Sequence, residues 1–211
     1  MKRGLRAVLL LALLWPTIAP QAAGLTVEKR YRLPGHGYLQ LNVPASWEDE
    51  LSQPPDELPP TITFRSRKGN EFAVLVTPIW PARDDVPAST RDSIRRSVEE
   101  VAAGVKDHAV EKTIQLVEFS GASGPGFYFS VTDPAPKPDE YRFMTQGMVK
   151  VGGLLVTFTI LTNDGNAQIK PDALAAIRGA THIGARRAKQ AKPALRDDSV
   201  DAPSAPEGTR I

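Results

Sequence analysis

The chain has no cysteine. That excludes structural disulfides, thiol nucleophiles and cysteine-ligated zinc. It also excludes a bacterial lipoprotein, whose acylation needs a cysteine at the cleavage point. Histidine is scarce as well. His36, His108 and His182 are the only three, and no two stand at metal-ligand spacing. There is no glycine loop of the kind that cradles phosphate: Gly152-Gly153 and Gly124-Pro-Gly126 read as hairpin turns. No apolar run is long enough to cross a bilayer; the longest, Leu5 to Trp15, is well short of the ~20 residues required. A strong charge of either sign is missing too. From Gly24 to Gly184 there are 17 Lys+Arg against 20 Asp+Glu, a net of −3. This gives no electrostatic footprint for nucleic acid.

What is present begins with a leader. Lys2, Arg3 and Arg6 precede the apolar run, and small residues follow at Ala19, Ala22, Ala23 and Gly24. This is the layout of a secretory signal peptide, expected over residues 1–23 with cleavage near Ala23. Cleavage would remove three positive charges and move the formal charge from +2 to −1. The mature chain is expected to be periplasmic or secreted, meeting the membrane only through the leader before cleavage. At the other end, residues 185–211 hold Ala, Arg, Lys, Asp, Ser and Pro with almost no large apolar side chain. Such a segment cannot repay its ordering entropy, so a disordered tail is expected. The domain should span 24–184.

Tyr141 to Leu161 organises that domain. Tyr141–Val151 and Leu154–Leu161 are two alternating, β-branched and aromatic arms around Gly152-Gly153, the pattern of a hairpin with a two-residue turn. Arms of about ten residues span roughly 33 Å and are not stable as an isolated pair, so further strands are required. Leu25–Leu33, Tyr38–Val43, Thr61–Arg67, Phe72–Trp80, Glu111–Ser120 and Phe127–Val131 carry strand patterns. Glu48–Pro60 is acidic, holds four prolines and reads as a loop. One helix starts at Ser89, with Asp92 at capping-box spacing and a stripe of Ile94, Val98, Val101 and Val105. A second starts near Pro171, buries Leu174 and Ile177, and stops at Gly179. The expected class is α+β: a mainly antiparallel sheet of about six to eight strands with two helices packed on it.

The element order and four landmarks resemble the PsbP-like fold family, which includes PsbP, the Ran-binding Mog-type proteins and exported bacterial proteins of unknown role. The landmarks are Leu41-Asn-Val-Pro-Ala-Ser-Trp47, Gly126-Phe-Tyr-Phe129, the long hairpin with Gly147 and Leu154–Ile160, and the short helix Asp172–Arg178. The resemblance runs from Leu25 to Ile183. It implies a PsbP-like fold and a protein that is not an enzyme; it places no functional residue.

Patterns for chemistry are weak. Gly121-Ala122-Ser123-Gly124 approaches a nucleophile elbow, but the fifth position is Pro125 and two strands flank it; a turn is the better reading. Asp84-Asp85 and Glu48-Asp49-Glu50 lack the alternating spacing and glycine of a calcium loop. No catalytic residue, metal site or cofactor is assigned. The leading expectation is an exported, non-enzymatic accessory or binding protein whose partner is another exported or envelope protein. Arg142, Gln146, Met148 and Lys150 are candidate contact residues on a helix-free sheet face; the bland alternative makes the methionines core. The alternative function is a small-molecule or lipid carrier with a pocket between helix and sheet.

Overall fold

The computed structural model describes residues 24–55, 58–67, 69, 71–81 and 89–184. The leader expected over 1–23, the tail expected over 185–211 and the Asp84-Asp85 pair lie outside the described residues. No helix among the described residues is long and apolar enough to cross a membrane.

The expected hairpin is the centre of the structure. Strands β8 (Phe143–Val151) and β9 (Leu154–Thr162) pair along their whole length about Gly152-Gly153. Gly152 has φ +59, a conformation that a Cβ disfavours. Burial along β9 alternates strictly: Leu154, Val156, Phe158, Ile160 and Thr162 point inward, and the residues between them are half-buried. Strand β5 (Phe72–Ile79) pairs with the other edge of β9, and β4 (Thr61–Ser66) with β5. On the far side β7 (Gly124–Thr132) pairs with β8, and β6 (Val117–Gly121) with β7. The edge next to β4 is β3 (Trp47–Ser52), giving seven strands in the order β3-β4-β5-β9-β8-β7-β6. Every pairing in it is antiparallel.

Strand β3 corrects the loop expected from Glu48. Its first residue, Trp47, is buried against Phe64 and Phe72, while Glu48 to Ser52 are exposed. An edge strand paired on one side needs no apolar alternation, and charge there discourages pairing with another chain. The loop expected at Gly121–Gly126 is likewise tighter: Gly121 partners Gly124 directly across Ala122-Ser123. The strand expected from Glu111 begins only at Val117.

A second sheet was not anticipated. β1 (Thr26–Leu33) and β2 (Gly37–Pro44) form a hairpin in full register, and β10 (Thr181–Ile183) adds to the other edge of β2. Its inward Leu33, Leu39, Leu41 and Val43, each at most 1% exposed, meet Ile62, Phe64, Val74, Val76 and Phe158 of the large sheet in one core. At about 1.5–3 kcal/mol per fully buried large side chain, this inter-sheet layer is a principal source of stability.

The two helices lie on opposite faces of the large sheet. α2 (Ile169–Arg178) sits beside the small sheet on the inner face and buries Ala173, Leu174, Ala176 and Ile177. α1 (Arg91–Val105) lies on the outer face over β7 and β8. Its Ile94, Val98 and Ala102 close a second core on Phe127, Phe129 and Val131. The N-cap is Thr90, one residue later than expected. Its hydroxyl accepts from the Ser93 N–H, and the Ser93 hydroxyl accepts from the Thr90 N–H.

Candidate functional site

Three places gather chemistry-bearing side chains. The first is the outer face beyond α1. Strand parity puts Thr61 and Thr63 of β4, Leu75, Thr77 and Ile79 of β5, and Thr157, Thr159 and Leu161 of β9 on that face. Cross-strand register arranges them in rows: Thr61–Thr77–Thr157–Met148 and Thr63–Leu75–Thr159–Gln146. The Thr61 and Thr77 hydroxyls are 2.8 Å apart, and Thr157 Oγ1 donates to the Thr77 carbonyl at 3.4 Å. These side chains are half-buried, except the exposed Ile79. Among the described residues no helix packs closely on β4 or β5, and on this side of β9 Leu155 meets the core beneath α1. The surface is hydroxyl and aliphatic, with charge only at its borders.

The sequence-predicted contact residues flank it. Gln146, Met148 and Lys150 alternate along β8 on the outer face, all half-buried. That face is not helix-free, because α1 covers its β7 side and Met144 and Met148 pack against the core beneath α1. Two separate apolar stripes, one per helix, account for the split between the faces. Lys150 lays its aliphatic stem against Gly124. Arg142 precedes β8; it is exposed, bonds Asp164 at 3.0 Å and lies over the Phe143 ring. The structure therefore lines up three of the four and sets Arg142 apart at one end.

The second place joins two of the three histidines. The Nδ1 of His182 accepts from the Gly153 N–H at 3.4 Å, so its Nε2 carries the hydrogen and donates to the His36 carbonyl at 2.7 Å. The His36 ring stacks on Trp80 at 4.4 Å. His182 ties β10, the hairpin tip and the β1–β2 turn together, which is a structural task. Among the described residues no three His, Asp or Glu side chains form a group able to hold a metal.

The third place is a cavity of about 360 Å³ at the start of α2, between that helix and the ends of β7, β8 and β9. Lys170 Nζ donates to Ser130 Oγ at 2.8 Å, and Ser130 Oγ lies 2.8 Å from Thr145 Oγ1. Lys170 also stands over the Tyr128 ring, and burial lowers its pKa from the usual lysine value. Glu111 is on the wall. Burial alone would raise its pKa, but Thr132 donates its N–H at 2.9 Å and its hydroxyl at 2.8 Å, and these bonds hold the carboxyl below its ordinary range. Lys170, Ser130 and Thr145 were missed from sequence. They come from three elements, and a lysine near a helix start reads as a solvated side chain.

No protein-family model matches the chain, and no curated protein sequence matches it. Among solved structures, the chain is similar to the solution structure of cyanobacterial PsbP (CyanoP) from Synechocystis sp. PCC 6803. The identity is 13%, over 80% of this chain and 100% of that one, with a TM-score of 0.46. No function travels with this likeness.

Proposed function

We propose that this chain is an exported, non-enzymatic binding protein. It engages another exported or envelope protein through the open outer face of β4, β5 and β9. Gln146, Met148 and Lys150 border that face, and Arg142 stands at its rim. The observation that carries the reading is that, among the described residues, no helix and no second sheet packs over β4 and β5 on that face. Half-exposed aliphatic and hydroxyl side chains continue across three adjacent strands, while other apolar faces of the sheets carry a helix or a second sheet. Low charge favours a partner with a weakly charged protein surface over nucleic acid. Export rests on the leader pattern of residues 1–23.

The test uses immobilised mature protein and an envelope fraction of the source organism. Leu75→Glu and Thr159→Arg place charge on the face, and Arg96→Glu alters the solvated side of α1 as a control. The reading expects one protein retained by wild type and by Arg96→Glu and lost by both face variants. Equal retention by all four, or no retained protein, would refute it.

A further inference from the structure

The cavity at the start of α2 has an excess of hydrogen-bond donors. An ammonium has three N–H groups and each hydroxyl one O–H. Within the cluster, one N–H of Lys170 goes to Ser130, and one O–H is used between Ser130 and Thr145. Two N–H groups and one O–H are left to point at something else. The charges facing them are accounted for. Glu111 accepts from Thr132 with both oxygens, and Asp164 pairs with Arg142. No carboxylate among the described residues ion-pairs with Lys170. Among the described residues this half-buried cation has no counter-ion, which is costly, and an anion entering the cavity would supply one.

The remaining walls choose among anions. Phe143, Ile160 and Ala167 are apolar and adjoin the polar cluster. Glu111 and Asp164 line the same cavity as Lys170, so a phosphate dianion is disfavoured more strongly than a monoanion. The volume is at the small end of the ~300–1,000 Å³ typical of ligand sites. We propose that this cavity binds a small amphiphilic monocarboxylate, its head on the Lys170 ammonium and the Ser130–Thr145 hydroxyls and its short apolar part against Phe143 and Ile160. This site is independent of the outer face, on the other side of the sheet.

The test is a titration of the whole mature protein, followed by amide NMR shifts, with sodium hexanoate as probe and hexanol and hexylammonium chloride as controls. The expected result is saturable shifts at Ser130, Thr145, Phe143 and Lys170 with hexanoate, at least ten-fold weaker with either control. Lys170→Met should weaken hexanoate at least ten-fold, and Ser130→Ala several-fold; the spectrum of each variant reports its folding, and either folded variant suffices. Equal response to hexanol and hexanoate, shifts confined to other regions, or unchanged affinity in a folded Lys170→Met protein would overturn the proposal. So would a covalent adduct on Ser130 with a fluorophosphonate probe, which would make the Ser130–Lys170 pair a nucleophile and its base.

Discussion

Replacing Gly147 by alanine tests the packing at the middle of the sheet. Gly147 lies on β8 between Tyr128 of β7 and Phe158 of β9. A Cβ there would stand 2.3 Å from the Phe127 carbonyl oxygen, 2.6 Å from Phe158 Cζ and 2.6 Å from Tyr128 Cβ. Two of these neighbours cannot step aside cheaply. The carbonyl belongs to the β7 backbone, and Phe158 is 1% exposed inside the core. Non-bonded contacts relax near about 3.5 Å, so β7 and β8 must part by roughly 1 Å. Overpacking of this kind costs about 1–3 kcal/mol. Removing a strand glycine returns only about 0.5–1 kcal/mol. Because a backbone carbonyl and a fully packed ring must both move, the cost lies at the upper end of that range, and the net loss is about 2 kcal/mol. A domain of this size melts about 2–4 °C lower per kcal/mol lost, so Tm should fall by roughly 4–8 °C. Gly153→Ala is the control, because its Cβ would meet nothing nearer than 3.7 Å, and a change within about 0.5 kcal/mol is expected. Circular-dichroism melts and urea titrations of the three proteins give the comparison. A Gly147→Ala protein as stable as wild type would refute the packing described for β7, β8 and β9.

Two further predictions concern the elements around that sheet. Asp49 of β3 accepts from Lys29 and Tyr31 of β1. Burial alone would raise its pKa, but the hydrogen bonds and the lysine charge outweigh it and hold the carboxyl below the usual range. A depressed folded-state pKa contributes stability above the unfolded value of about 3.9, and that contribution is lost as pH falls through the folded value. Asp49→Asn should therefore lower the urea midpoint at pH 7 and narrow its gap from wild type below about pH 4; a gap independent of pH would contradict the assignment. At α1, Thr90→Ala should cost about 1 kcal/mol and Ser89→Ala much less, read from the same titrations; the reverse order would move the cap to Ser89.

Much of this architecture was readable from local pattern. The β8–β9 arms, Gly152-Gly153, the α1 stripe and the Gly179 stop follow from side-chain period and turn chemistry, which act within a few residues. What escaped depends on distant partners. β3 is acidic because it is an edge strand, so it shows no buried-face alternation. β10 has three residues, too few for a period, and exists only because β2 offers a free edge. The second sheet follows from the same fact. Of the candidate site, β8 parity placed Gln146, Met148 and Lys150 together. It could not show that α1 lies on their face, because nothing local says which side of a sheet a helix chooses. The Ser130–Lys170 contact joins residues 40 apart in sequence, a separation that leaves no spacing to detect.

Binding through the open outer face is best probed where it would occur. A photo-crosslinking amino acid placed at Thr159, in the middle of that face, should yield one discrete protein adduct in the native envelope. The same group at Glu100, on the solvated side of α1, should yield none. Adducts at Glu100 equal to those at Thr159, or no adduct at Thr159, would contradict the account.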